Sequence, residues 1–429
     1  MSELPKGWVE SNLNKLAEIR TGKVDANHAT INGKYHFFTC AFAPLKSDTY
    51  SFNGELIILP GNGANVGLVQ YFNGKIEAYQ RTYVVYNSEL NIRYVYYHLK
   101  KYWKTRNEEK QYGSATNYIK MGNFNEYVVA FPPLAEQKRI VEKLDEVLAQ
   151  VDSIKARLDS IPDILKRFRQ SVLASAVSGK LTEGCGFTKA KKSNLSNLGK
   201  ILGGKTPSKS NPLFWSDGSV LWVSPKDMKF NYIVDSIDKI TEHALDNGGM
   251  KYIPQNSILM VTRSGILSHT FPVALTTTKV TINQDIKALI PNNETLIPTY
   301  GLYLIKGLAP RILSECSKTG TTVPSIETDL LQSMEFNLPS LEEQTEIVRL
   351  VDQYFAFADA IEKQVKNAQQ RVDKLTQSIL AKAFRGELVQ QDPNDEPADK
   401  LLERIAKAKQ DADALAKAAK KSVKKGVKK

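Results

Sequence analysis

The chain is poor in the residues that would announce a metal site, a disulfide scaffold or a catalytic centre. It has three cysteines in 429 residues. Cys40, Cys185 and Cys316 lie more than a hundred positions apart and form no C-x-x-C pair, which argues against a disulfide framework and a zinc ribbon and points to a reducing compartment. Histidine is almost as sparse. His28, His36, His98, His243 and His269 show no i, i+4 pair and no neighbouring Cys or carboxylate cluster, so each reads as a surface or internally satisfied side chain rather than a ligand. No apolar run approaches the roughly 20 residues of a membrane helix, and Met1 to Lys15 carries no basic stretch followed by an apolar one. A cytoplasmic location without membrane attachment is therefore expected. The nearest approach to a phosphate loop is Gly61-Asn62-Gly63-Ala64-Asn65-Val66-Gly67. Its third glycine comes one place late for G-x-G-x-x-G, and no Lys-Ser/Thr follows. These glycines read instead as a turn where the backbone approaches something closely, either a neighbouring strand or a DNA phosphate. Phe131-Pro132-Pro133-Leu134 lacks the polar first residue of the Asn/Asp-Pro-Pro-aromatic tetrapeptide that amino-methyltransferases use. The chain is expected to be non-catalytic.

What the sequence does have is bulk. At 42% hydrophobic and 24% charged, it suffices for two to four modules with real cores. The net charge of +12 is unevenly placed: Lys400 to Lys429 holds eleven Lys or Arg against Glu403, Asp411 and Asp413, leaving only +4 for the preceding 399 residues. A mildly basic body permits phosphate binding without demanding it.

An internal repeat is more decisive. Pro132-Pro133-Leu134-Ala135-Glu136-Gln137 aligns with Pro339-Ser340-Leu341-Glu342-Glu343-Gln344 at an offset of 207, and the match runs without a gap to Gly179-Lys180-Leu181 against Gly386-Glu387-Leu388. Identity holds in 17 of 50 columns, where unrelated sequence would give roughly three. Both copies read as long helices with coiled-coil spacing. Ile140, Leu144, Val147, Val151, Ile154, Leu158, Ile161, Leu165, Phe168 and Val172 form one apolar stripe; Ile347, Val351, Tyr354, Ala358, Ile361, Val365, Ala368, Val372, Leu375 and Ile379 form the other. Neither stripe should remain in water. Mutual packing as an antiparallel pair would bury both and make the duplication pseudo-twofold. Pro162 should kink or break the first helix near Ile161, with Asp159 or Ser160 able to cap a restart. Glu136-Gln137 and Glu343-Gln344 read as first-turn residues that favour the positive end of the helix dipole.

Each helix is preceded by a segment rich in β-branched and aromatic runs and in Gly, Pro and Asn turns, and the two segments read as mixed α/β globular domains. They resemble each other weakly. Thr21-Gly22-Lys23 parallels Gly203-Gly204-Lys205, Gly61-Asn62-Gly63 parallels Arg263-Ser264-Gly265, Tyr79-Gln80 parallels Asn283-Gln284, and Gly113-Ser114-Ala115-Thr116 parallels Gly320-Thr321-Thr322-Val323. The expected class is α+β, with residues 1–131 globular, 132–183 helical, 184–194 a linker, 195–336 globular, 337–390 helical, and 391–429 a basic Ala/Lys-rich tail forming a frayed helix and solvated end.

The repeated Pro-x-Leu-x-Glu-Gln openings, the Gly-x-Leu endings, and Gly203-Gly204-Lys205-Thr206-Pro207-Ser208 followed by Phe214-Trp215 and Trp222-Val223-Ser224-Pro225-Lys226-Asp227 resemble the specificity subunit of type I restriction–modification enzymes. Two target recognition domains alternating with two conserved helical regions are that family's architecture. The resemblance implies that each globular domain reads half of a bipartite, asymmetric target in double-stranded DNA. It also implies that the helices set the spacing and hold two modification subunits, which bind S-adenosylmethionine and methylate adenine N6. Restriction subunits that use ATP and magnesium can then join. No cofactor is expected in this chain itself. Two departures stand out: Pro162 occurs in one helix only, and the second domain lacks an intact Gly-rich loop at Arg263-Ser264-Gly265.

Direct readout needs Arg, Lys, Asn or Gln aimed at base edges, with Ser, Thr and backbone amides on phosphates. The candidates in the first domain are Arg20, Lys23, Asn62, Asn65, Gln80, Arg81, Ser114, Thr116 and Asn117. Those in the second are Lys205, Thr206, Lys209, Arg263, Ser264, Asn283, Gln284, Lys318, Thr319 and Thr321. Trp215 and Trp222 are expected in the core. Two other readings remain open from residues alone: a self-contained DNA-modifying enzyme with an unrecognised site, and a coiled-coil scaffold without sequence specificity.

Overall fold

A computed structural model describes residues 4–86, 91–108, 117–187, 189–320, 322–408 and 410–411. They form two compact units: residues 1–158 with 367–429, and residues 159–366. The division therefore runs through both long helices rather than between helix and globular domain.

The first unit is built from β1 (Val9–Asn12), α1 (Leu13–Leu16), β2 (Glu18–Thr21), β3 (Tyr35–Phe38), β4 (Leu45–Ser47), β5 (Phe52–Pro60), β6 (Gln70–Ala78), β7 (Thr82–Tyr86), α2 (Ile92–Glu108), α3 (Met121–Asn125), β8 (Val128–Phe131) and the start of α4 (Leu134–Ser178). Its main sheet has the order β2-β7-β5-β6-β3-β4. The run Leu56-Ile57-Ile58-Leu59 in β5 is buried on both faces. Leu56 and Ile58 join Phe38, Ile76 and Val84 on one side, while Ile57 and Leu59 join α2 and α4 residues such as Val95, Leu99 and Leu144 on the other. That two-sided burial explains why β5 reads as a continuous apolar run rather than an alternating one.

The second unit contains β9 (Lys191–Ser193), β10 (Gly199–Gly203), β11 (Val220–Val223), β12 (Tyr232–Ile233), β13 (Asp238–Ile240), α5 (Glu242–Gly248), β14 (Ile258–Val261), β15 (Val273–Thr276), β16 (Thr281–Ile282), β17 (Ile286–Pro291), α6 (Pro298–Glu315), α7 (Thr328–Ser333), β18 (Phe336–Leu338) and the start of α8 (Leu341–Ala383). Its main sheet, β10-β17-β14-β15-β12, repeats β2-β7-β5-β6-β3 strand for strand, with three antiparallel pairings followed by one parallel pairing. The small pair β9–β18 likewise matches β1–β8. Residues 191–193 are thus a strand of the second domain, which corrects the expectation that 184–194 is only a linker. The second unit alone carries an added sheet, β13-β11-β16, whose core holds Trp222, Val220 and Ile240, with Trp215 packed edge-on 5.2 Å from Trp222.

Within each unit the two long helices run antiparallel. In the first, Lys155 pairs with Asp373 at 2.9 Å, and Ile140, Leu144 and Val151 share a core with Ile379, Leu380 and Ala383. In the second, Arg169 binds Asp359 at 2.5 Å and Glu362 at 2.9 Å, Phe168 meets Tyr354, and Val172 and Ala176 share a core with Ile347 and Val351. Three expectations need correction, two of them about these helices. First, α4 is continuous through Pro162, and Asp159 and Ser160 lie inside it instead of capping a restart. Leu165 and Val172 are buried just beyond the proline, so packing holds a helical path that propensity alone would break. Second, the stripe is not fully sealed. Ile154 is 46% and Leu375 49% exposed, because a two-helix seam gives each position a partner on one side only.

The third correction concerns the tail. Residues 398–408 are helical, and Ala398, Leu401 and Ile405 are buried in the first unit's core. The Ala398 amide donates to the Gly7 carbonyl at 3.1 Å, and Arg139 grips Asp395 at 2.7 Å. The segment after residue 391 therefore begins as a docked element, not as a solvated end.

The helix openings do more than offer charge to a dipole. Gln137 Nε2 donates to the Pro132 carbonyl at 2.9 Å and Gln344 Nε2 to the Pro339 carbonyl at 3.0 Å, so each glutamine closes its own Pro-x-Leu-x-Glu-Gln turn. The preceding glutamates are buried acceptors. Trp8 Nε1 donates to Glu136 at 3.1 Å, and Thr182 Oγ1 donates to Glu343 at 2.6 Å. Burial raises the Glu136 pKa, opposed by the bonds it accepts from Trp8 and Gln391 and by Arg139.

Candidate nucleic-acid interface

In the first unit, the loops at one end of the main sheet are stitched together by backbone bonds. The Gly61 amide donates to the Arg81 carbonyl, Gln80 to Val24, Gly63 to Asn117, and Ile119 to Gly61, all at 2.9 Å. Asn62 pairs with Tyr118 as a single antiparallel bridge. Lys23, Asn62, Gln80, Arg81 and Asn117 are thereby brought to one loop cluster, with Lys23, Gln80, Arg81 and Asn117 exposed. A Cβ at Gly61 would stand 2.2 Å from the Arg81 carbonyl, and Gly63 has φ +88°. The Gly-rich loop is therefore glycine because it lies against a neighbouring strand end and needs a left-handed turn, the first of the two roles expected of it.

Asn65 belongs to the scaffold of this cluster. Its Nδ2 donates to the Cys40 carbonyl at 2.9 Å and fixes the 39–42 loop. Arg20 stands apart, ion-paired with Glu18 at 2.8 Å and 5.8 Å from the Tyr86 ring. It lines a cleft of about 320 Å³ with Lys23, Asn53 and Tyr86. Ser114 and Thr116 lie outside the described residues.

The second unit repeats the construction. The Ser264 amide donates to the Pro324 carbonyl at 3.1 Å, Ile326 to Thr262 at 2.8 Å, and Lys205 to Ile282 at 3.0 Å, while Arg263 and Ser325 form the bridge equivalent to Asn62 and Tyr118. Register thus equates Gly61-Asn62-Gly63 with Thr262-Arg263-Ser264, one place away from the pairing expected from sequence. Gly22 and Gly204 are equivalent too. A Cβ on Gly22 would sit 1.7 Å from the Ala78 carbonyl, and one on Gly204 would sit 2.1 Å from that of Asn283.

A cleft of about 520 Å³ is lined by Arg263, Gln284, Lys318, Thr322 and Ser325, with no carboxylate among its described residues. Thr206 hydrogen-bonds Gln284 at its edge. Lys205, Lys209 and Thr319 are exposed nearby in sequence, but among the described residues no bond joins Lys209 to this cleft. Ser264 Oγ caps the following turn at Ile266. Asn283 requires correction: it is 5% exposed, and its amide both donates to Asp285 Oδ2 and accepts from the Asp285 amide, each at 3.1 Å. It holds the turn that presents Gln284 and shows no edge to solvent. Thr321 lies outside the described residues.

Tyr118, Ser325 and Thr322 were not among the sequence candidates. Tyr118 is 37% exposed, with Lys120 Nζ 5.5 Å from its ring. An aromatic beside a lysine in a polar loop was the available signal.

The side of each domain facing its helices is also duplicated. Tyr97 donates to Asp145 at 2.5 Å, and Tyr303 donates to Asp352, the residue 207 places on. Arg93 adds an ion pair to Asp145. Burial is the main cause of the raised phenol pKa of both tyrosines, and the bonded carboxylate adds to it.

The family model described as type I restriction modification DNA specificity domain matches residues 5–163 and 188–369. The EcoDI specificity subunit of Escherichia coli is 34% identical over 422 residues, covering 91% of this chain and 90% of that protein. The chain belongs to the type I restriction enzyme specificity subunits. The EcoKI specificity subunit of Escherichia coli strain K12 is 38% identical over 299 residues, covering 65% of this chain and 61% of its own. The fold of these specificity subunits is matched as well. A chain solved in work on complex assembly and conformational transition of the type I R-M system superposes with a TM-score of 0.67 at 17% identity, over 90% of this chain and 100% of that one. The HsdS subunit from Thermoanaerobacter tengcongensis gives 0.54 at 18% identity, over 90% and 98%. Among the described residues, no helix is long and apolar enough to cross a membrane, and no group of three or more His, Cys, Asp or Glu is placed to hold a metal ion.

Proposed function

We propose that this chain is the DNA-reading subunit of a type I restriction–modification complex, each globular domain recognising one half of a bipartite target. The observation that carries this reading is the duplicated loop cluster at the sheet end, with lysine, glutamine and a variable polar residue at equivalent positions on two copies of one sheet. A carboxylate-free cleft lined by Arg263, Gln284 and Lys318 suits acceptor-rich groups such as phosphates and purine edges. The antiparallel helices would dock two modification subunits, which bring S-adenosylmethionine and the adenine-N6 chemistry. Restriction subunits using ATP and magnesium would join through that assembly. The chain itself contributes binding and placement and no bond-making step.

The test is salt-dependent binding by the chain assembled with its modification subunits, comparing the target found by sequencing methylated adenines with random duplexes. A specific reader should favour its target by about 10³-fold or more. Equal affinity for both, falling together with salt, would favour the scaffold reading, and methylation or cleavage by the purified chain alone would favour the enzyme reading.

A further inference from the structure

The quasi-equivalence of the two loop clusters separates positions that stay the same from one that changes. Gly22-Lys23 and Gly204-Lys205 carry the same residues on the same tight turn. Gln80 and Gln284 also coincide, each exposed and each preceding the residue whose carbonyl accepts from the equivalent Gly61 and Thr262 amides. Side chains identical in both domains cannot make the two half-sites differ. The lysines suit phosphates, which have the same form in any sequence. Asn62 and Arg263 share one register position yet differ in kind: each bridges the incoming loop, at Tyr118 and Ser325, and each is followed one residue later by an amide that donates to that loop. Among the described residues, neither the Asn62 amide nor the Arg263 guanidinium makes a side-chain hydrogen bond or ion pair. Arg263 is exposed and lines the cleft with Gln284 and Lys318.

The chemistry at this position is discriminating. A guanidinium makes paired bonds to guanine O6 and N7, while a carboxamide pairs with adenine N6 and N7. Resting on the DNA-reading function above, we propose that Asn62 and Arg263 are equivalent base-reading residues, so that the first half-site carries an adenine where the second carries a guanine. Lys23, Lys205 and Lys318 then position the backbone around them, and Asn283 with its Asp285 turn holds Gln284 beside Arg263.

The test uses the full chain with its modification subunits and a set of duplexes, each with one base pair changed in either half of the methylated target. Arg263→Lys keeps the charge but loses the planar fork. It should lose the preference for one guanine of the second half-site, a discrimination of about 5- to 150-fold, and leave every other position unchanged. Arg263→Asn should move that preference toward adenine, and Asn62→Ala should remove one adenine preference from the first half-site alone. Two results would overturn the proposal: an Arg263→Lys complex that discriminates like the parent at every position, or one weakened equally on all duplexes with its salt dependence reduced, as for a phosphate contact. A parent complex with no preferred duplex would instead overturn the DNA-reading function.

Discussion

The two units share a scaffold and differ in what they hang on it. Both have the same five-strand core order, a buried tyrosine pair on the helix after the last core strand, and a glutamine that closes the opening of the long helix. They diverge at the sheet end, where the first has Asn62 at the register position that Arg263 holds in the second, and in their insertions: β4 extends the first unit's main sheet, and the separate sheet β13-β11-β16 with Trp222 is added to the second unit. The parts that pack against helices are under a shape constraint from both partners, whereas a loop at a sheet end is constrained only by its anchoring bonds. Similarity therefore collects on the helix side and variety on the candidate reading side.

The strongest test of this comparison is steric. Gly22→Ala and Gly204→Ala each drive a Cβ into backbone carbonyls rather than a flexible side chain, so each should destabilise its own unit by roughly 3 kcal/mol. Hydrogen exchange should show protection lost from β5 and β7 in the first variant and from β14 and β17 in the second. Equal loss in both units from one variant would break the picture of separately built domains.

A second test exploits a place where the units differ. His98 is buried against Tyr127, Phe384 and Tyr102, and loss of hydration pushes its pKa down to about 3, with a further push from Arg106. On α6 the corresponding residue is Leu304, which is buried and cannot titrate. With the folded-state pKa below the ordinary 6.5, the unfolded chain binds the extra proton, so stability is retained above pH 6.5 and falls as pH drops toward 3. The slope is at most ~1.4 kcal/mol per pH unit. Hydrogen exchange between pH 6.5 and 4 should reveal the first unit weakening faster than the second, and His98→Leu should narrow the gap. An unchanged gap would assign the acid sensitivity to other groups.

Smaller effects should come from the buried glutamates. Trp8→Phe removes the donor to Glu136 and Thr182→Val the donor to Glu343, each leaving a carboxylate short of a partner at about 1–3 kcal/mol. Chemical denaturation of both variants checks whether these two unlike donors do equivalent work.

Much of this organisation was legible in the sequence, because it is carried by repetition. The offset of 207 identified both long helices, and the parallels at Gly22/Gly204 and Gln80/Gln284 survive as structural equivalences. What escaped depended on tertiary burial. Ala398, Leu401 and Ile405 sit in a lysine-rich stretch and looked solvated until a core received them. Pro162 has a local penalty that packing overrides, and Asn283 is polar yet turned inward by Asp285. The one-residue shift that equates Asn62 with Arg263 follows from backbone pairing, which the glycine pattern alone misaligned.

The most direct test of two independently reading domains is methylation-site sequencing after residues 1–131 are replaced by the equivalent domain of another specificity subunit, with residues 132–429 unchanged. The predicted result is a target in which one half is replaced and the other, together with its distance from the methylated adenine, is retained. A target changed in both halves would contradict the account, as would one changed in neither.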